Sequence, residues 1–175
     1  MKPYDEASCQ KIISFWTGKI NDVAICGFLA NWNIESNLRS NNAQNSYMNK
    51  WGLTDEEYTA KVDAGTWVSP EGNDFAHDHC GYGLSQWTSQ GRSQGLWDYA
   101  RKTARSIGDM QMQLEYAEIE LNSSSFKKTK EGLENCQSAG DAAVIIMTTY
   151  EKPASKDDPA KQKERADMAE EFYQK

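Results

Sequence analysis

Breaking a glycosidic bond asks for a carboxylic acid that protonates the leaving oxygen and, usually, a second carboxylate that acts on water or on the sugar. Two stretches of this 175-residue sequence carry carboxylates in settings that suit those roles. Glu35 closes the run 23–37, VAICGFLANWNIESN, and Asp78 stands just ahead of the turn Gly81-Tyr82-Gly83. Asp74 and Glu71 are further candidates in the second stretch, although Asp74 follows Asn73 and suits a turn better than a reaction.

Each acid needs an element to hold it. Ile25, Phe28, Leu29 and Trp32 recur at helical spacing, and Asn21 or Asp22 can cap the start. At 100° per residue Glu35 lies about 20° from Phe28 and about 60° from Trp32, so it continues the apolar stripe. Polar Ser36 and Asn37 follow, which places the acid at the carbonyl end of the helix. Burial and the helix end both favour the neutral acid, an expected proton donor at neutral pH. Between residues 66 and 88 the helical period gives way to Pro70, Gly72 and Gly81-Tyr82-Gly83, which predicts a small hairpin or three-stranded sheet. Alternation along that sheet sends Tyr82, Leu84, Gln86 and Thr88 to one face and Gly83, Ser85 and Trp87 to the other. Asp78 is the preferred second acid, because the glycine turn gives it a defined backbone.

The remaining elements form a scaffold. A first helix is expected over residues 4–17, a loop over 36–49, and a helix behind the capping box Thr54…Glu57 that Gly65 ends. Further helices are expected over 92–105, over 107–121 behind Ser106, over 139–150 behind Ser138, and from Pro159 behind Asp158. The fold class is α+β, predominantly helical, in one domain spanning 1–175.

Composition narrows the partners. Mean hydropathy of -0.80 argues against membrane insertion. A net charge of -7 with no long basic cluster argues against nucleic acid. Six Trp and eight Tyr suit a sugar-binding cleft as well as ordinary packing. Cys9, Cys26, Cys80 and Cys136 show no metal-type spacing, and their pairing stays open. The amino terminus lacks the basic start and apolar run of a signal peptide, so release by another route, or a place in a longer protein, is expected.

The segments Ile34-Glu35-Ser36-Asn37-Leu38 and Asp78-His79-Cys80-Gly81-Tyr82-Gly83-Leu84-Ser85-Gln86-Trp87-Thr88, then Arg92, resemble the phage tail lysozyme family of the lysozyme-like superfamily. The likeness continues through Ser106-Ile107-Gly108-Asp109, Gln113-Leu114-Glu115, Tyr150-Glu151-Lys152-Pro153 and Arg165-Ala166, nearly the whole chain. It implies a lysozyme-like fold whose β region borders the active-site cleft, and cleavage of the β-1,4 bond between N-acetylmuramic acid and N-acetylglucosamine without metal or organic cofactor. Glu35 matches the family's catalytic acid and Asp78 its acidic position before the glycine turn, as base, nucleophile or orienting group. Trp32, Ser36, Tyr82, Gln86 and Trp87 are the expected substrate-binding residues, Gln86 by hydrogen bonds to an N-acetyl group and the aromatics against sugar rings. The expected partner is the glycan strand of peptidoglycan, met by a monomer at the cell wall, outside the cell or on a virion. An acidic domain is weakly repelled by a wall carrying anionic polymers, so delivery by a wall-binding module or a phage tail is expected.

Rival readings are a lytic transglycosylase, which needs one acid and leaves 1,6-anhydro ends, and a non-catalytic glycan-binding or tail-structural module. His77 and His79 as metal ligands, or Cys80 with His79 as a thiol nucleophile, rank lower.

Overall fold

The computed structural model describes residues 3–175, which form two compact units. One contains the described residues as far as Leu38 together with Ala117–Lys175; the other is Arg39–Tyr116.

The first unit is organised around α2 (Asp22–Ser36), with α1 (Glu6–Trp16) before it. Asn21 caps α2 by accepting from the Ala24 amide, and Asn37, in the left-handed conformation, ends it one residue past Ser36. Every residue from Ala24 to Asn33 is buried, Asn31 and Asn33 included. The helix is therefore enclosed on all sides, and the single apolar stripe expected for it describes only part of its packing. The Phe28 ring lies 5.5 Å from Trp16, 4.9 Å from Trp32 and 5.6 Å edge-on from Tyr150.

Carboxyl-terminal helices complete the enclosure. α8 (Ala139–Ile145) starts behind the Ser138 cap and widens into a π-helical turn over Ile146–Glu151. α9 (Pro159–Tyr173) starts with Asp158 as cap and proline at its first position. Both pack directly on α2. Gly27 allows this closeness, since a Cβ there would meet Ala142 C and Cβ at 2.9 Å. α7 (Lys127–Asn135), which the sequence reading left out, buries only Thr129 and Leu133 of a charged segment.

In the second unit α3 (Asn45–Trp51) occupies part of the expected loop, and α4 (Asp55–Asp63) carries the expected capping box of Thr54 and Glu57. α5 (Gln90–Lys102) starts two residues early, and α6 (Met110–Leu121), whose residues from Ala117 on belong to the first unit, starts late, because Asp109 rather than Ser106 accepts the first-turn amide, that of Met112, at 2.7 Å.

The expected hairpin or three-stranded sheet is absent among the described residues. Residues 66–88 are turns and bends with two isolated bridges, Ala43 to Tyr82 and Tyr82 to Trp87. Tyr82 and Trp87 exchange backbone hydrogen bonds of 3.2 and 3.0 Å across a tight reversal, so the expected alternation along 81–88 does not occur. Left-handed Gly83 and Gln86 turn the chain back. A Cβ on Gly83 would fall 2.6 Å from the buried Gln113 amide, which accepts from the Leu84 amide and donates to the carbonyls of Ser40 and Ile107.

Candidate active site

Glu35 occupies the last turn of α2, and its side chain keeps 20% exposure. Its Oε1 accepts a 2.6 Å hydrogen bond from Nη2 of Arg165 on α9, whose side chain is only 6% exposed. Nη1 of the same guanidinium donates to Asn31 Oδ1 at 2.6 Å. Asn31, one turn before Glu35, donates its amide to the carbonyls of Gly27 (2.8 Å) and Ala143 (3.0 Å). Glu35 Oε2 accepts no hydrogen bond from the described residues. The acid thus belongs to a polar row, Gly27, Asn31 and Glu35, that faces α8 and α9. The apolar surround expected from Phe28 and Trp32 is replaced on this side by a cation.

Trp32 is fully buried, and its indole N–H donates to Glu151 Oε1 at 2.9 Å, in the π-helical turn. Ser36 is 2% exposed and donates to the Trp32 carbonyl at 2.9 Å, the local backbone bond that a helix-end serine can make.

In the other unit Asp78 is 4% exposed and both of its oxygens are engaged. Oδ2 accepts from the Tyr58 hydroxyl and the Trp67 indole, each at 2.7 Å, and Oδ1 accepts from the Cys80 amide at 2.9 Å. Burial pushes the Asp78 carboxyl above the usual carboxylate range, although the three donors pull it back part of the way. The other candidate acids there are exposed, with Asp74 on His77 at 2.6 Å and Glu71 paired with Lys50.

Tyr82 and Trp87 are core residues: the Tyr82 hydroxyl lies 2.6 Å from Thr59 Oγ1, and the Trp87 ring packs 5.6 Å from Tyr116. Gln86 is half-buried and gives its amide to the carbonyls of Asn42 (2.9 Å) and Gly83 (3.0 Å). Trp32, Tyr82 and Trp87, each at most 1% exposed, offer no ring face to a sugar in this structure. Reachable aromatic surface in this unit lies instead at half-buried Tyr47, Trp51, Trp97 and Tyr99, of which Trp97 rims a hollow of about 120 Å³ with Trp67, Phe75 and Gln94.

The thiol reading fares poorly. Cys80 is 1% exposed and burial pushes its thiol up to about 12, so little thiolate exists at neutral pH. Cys9 and Cys26 are pushed up to about 11 by burial, and all four cysteines are free. Among the described residues no group of three or more His, Cys, Asp or Glu side chains is placed to hold a metal ion.

Sequence reasoning gave no role to Arg165, Asn31, Tyr58, Trp67 or Gln113. The available signal for Arg165 and Gln113 was their place in segments that carry the family resemblance, and nothing local ties Arg165, which shares α9 with Lys161 and Lys163, to a residue 130 positions away. The family model described as phage tail lysozyme matches residues 8–175. Comparison with curated proteins finds no match.

Proposed function

Since the chain belongs to the phage tail lysozyme family, we propose that it is a peptidoglycan hydrolase that cuts the β-1,4 bond between N-acetylmuramic acid and N-acetylglucosamine, with Glu35 as the proton-exchanging acid. The observation that supports this most directly is the state of the Glu35 carboxyl, anchored through one oxygen and open at the other. In this reading Glu35 gives its proton to the glycosidic oxygen as the C1–O bond breaks. Water then adds at C1, and its proton returns to the carboxylate.

Asp78 fits the orienting role among those expected of it. With both oxygens occupied and little exposure it organises the 78–81 turn rather than activating a water. That same observation favours one second reading, the lytic transglycosylase, in which the muramyl 6-hydroxyl attacks C1 and passes its proton to the one acid. Products separate the two. Hydrolysis adds one water per cut and leaves ends that borohydride reduces, whereas internal attack leaves 1,6-anhydro ends that resist it. Mass spectrometry of fragments from purified peptidoglycan is the test; intact glycan with cut peptides would remove both readings.

The substrate is a wall polymer, and no helix of the described residues is long and apolar enough to cross a membrane. A net charge of -7 gives the protein no electrostatic pull toward anionic wall polymers, which supports action as part of a phage particle or beside a wall-binding module.

A further inference from the structure

We propose that Arg165 is the positioning residue of the catalytic carboxyl: by holding Glu35 Oε1 from α9 it leaves Oε2 as the oxygen that exchanges a proton with the glycosidic oxygen. This rests on the proposed catalytic role of Glu35, and it adds which oxygen reacts and what aims it.

The argument begins at Asn31. Its amide nitrogen is committed to two carbonyls, Gly27 on its own helix and Ala143 on α8, which forces its carbonyl oxygen toward Arg165. Arg165 is 6% exposed and lies in contact with that oxygen and with Glu35 Oε1, both at 2.6 Å. A buried cation stays where its partners hold it, because withdrawal from both leaves an uncompensated charge. A planar guanidinium also reaches two acceptors at once in a fixed fork, which an ammonium does not. The rigid sequence therefore runs from Ala143 through Asn31 and Arg165 to Glu35, across α8, α2 and α9.

A free glutamate at a helix end samples many rotamers, and ordering such a long side chain carries an entropic cost. Here that ordering is done during folding. Oε1 is spent on the anchor, and Oε2 has no partner among the described residues. The division suits an acid whose proton must meet a substrate oxygen within hydrogen-bonding reach, where a misplacement of about 1 Å can cost on the order of 100-fold in rate.

The test is kinetic and uses the full chain with soluble glycan strands. Arg165→Lys keeps the charge but loses the fork, and it is expected to lower kcat about 10- to 100-fold with KM changed less than about twofold. Asn31→Ala, which frees the far side of the guanidinium, is expected to lower kcat in the same direction. Thermal melting checks that each variant is folded. Both changes are then repeated with Glu35→Gln: a residue acting through Glu35 adds no further loss to the residual rate, whereas a merely structural one costs the same factor in either background. Folded Arg165→Lys with unchanged kcat, or equal losses in both backgrounds, overturns the proposal. If Arg165→Lys does not fold, Asn31→Ala decides by the same two criteria. Undiminished cleavage by Glu35→Gln would instead strike the proposed function itself.

Discussion

The Tyr58 hydroxyl donates to Asp78 Oδ2 across 2.7 Å, with both residues buried in the second unit. This bond and its companion from Trp67 make Asp78 the polar centre of an aromatic core in which the Tyr58 ring lies 4.9 Å from Trp67 and 5.8 Å from Tyr82. Tyr58→Phe removes one donor and leaves the carboxyl under-satisfied, at a cost of about 1 to 3 kcal/mol. Melting should fall by roughly 2 to 10 °C. Asp78→Asn turns one acceptor oxygen into a donor facing other donors and should cost a similar amount. Activity per folded molecule should survive in both variants within a fewfold. A loss of about 10² to 10⁴ in folded Asp78→Asn would return Asp78 to a direct part in catalysis.

Gly27→Ala probes the close approach of α2 and α8. Helix propensity alone would make alanine the better residue by about 1 kcal/mol. Its Cβ, however, would meet Ala142 backbone and Cβ at 2.9 Å and the Ala143 nitrogen at 3.0 Å, atoms that cannot rotate aside. Overpacking of that kind costs about 1 to 3 kcal/mol, so a net loss of up to about 2 kcal/mol is expected. A melting temperature equal to or above the parent would mean that α8 moves away freely. Activity should fall too, because Asn31 is bonded to the carbonyls of both Gly27 and Ala143.

Glu115 makes stability respond to acid. Hydrogen bonds from Arg105 first, then from Gln111 and Tyr99, hold its carboxyl down at about 2, against an ordinary 4.5. A lowered value in the folded state contributes stability above pH 4.5, and that contribution fades as pH falls toward about 2. The pair is partly exposed, at 28% and 29%, so screening limits it to about 1 kcal/mol. Glu115→Gln should therefore melt roughly 2 to 4 °C below the parent at pH 6, and most of that gap should be gone by pH 2.5, the rest closing as pH falls through about 2. A gap that stays constant over that range would sink the assignment.

Chelation gives a separate check on the chemistry. Prolonged EDTA treatment should leave cleavage of peptidoglycan unchanged. Loss of activity that zinc restores would put His77 and His79 back in contention as ligands.

What could be read from the sequence was local. Asn21, the Thr54 and Glu57 box, and Asp158 before Pro159 announce helix starts through contacts with residues at most three positions away, and each does so in the structure. Helix α2 with Glu35 in its last turn was legible for the same reason. The β region was misread because Gly, Asn and Asp serve irregular turns as readily as hairpins, and what settles residues 81–88 is the distant amide of Gln113. Tertiary partners were equally silent. Nothing near Glu35 in sequence foretells Arg165, and Tyr82 and Trp87 looked like platforms for sugar until their burial was seen. On a helix buried all round from Ala24 to Asn33, the polar row of Asn31 and Glu35 meets other helices rather than marking a solvent face, so counting residues could not tell which neighbours the acid meets.

The proposed role of Glu35 itself is decided by the smallest change available. Glu35→Gln keeps the shape of the side chain, and its amide oxygen can still accept from Arg165, so the anchor survives in outline. What disappears is the oxygen that carries, in turn, the charge compensating a guanidinium only 6% exposed when ionised and the exchangeable proton when neutral. Some stability should go, because breaking a buried pair leaves one charge unmatched; with Asn31 still bonded and Glu35 partly open to water, about 1 to 3 kcal/mol is a fair measure. Cleavage should fall much further, by at least about 10²-fold, since general acid catalysis alone contributes about 10² to 10⁴. Binding of glycan strands, measured by co-sedimentation with purified peptidoglycan, should stay close to the parent. The contrast matters more than any one value. A variant that melts a few degrees lower, binds normally and no longer cuts has lost chemistry, whereas one that binds poorly has lost structure. Folded Glu35→Gln that cuts at nearly the parental rate would leave the carboxyl and its arginine as a structural pair, and the proton donor would have to be another acid of the chain.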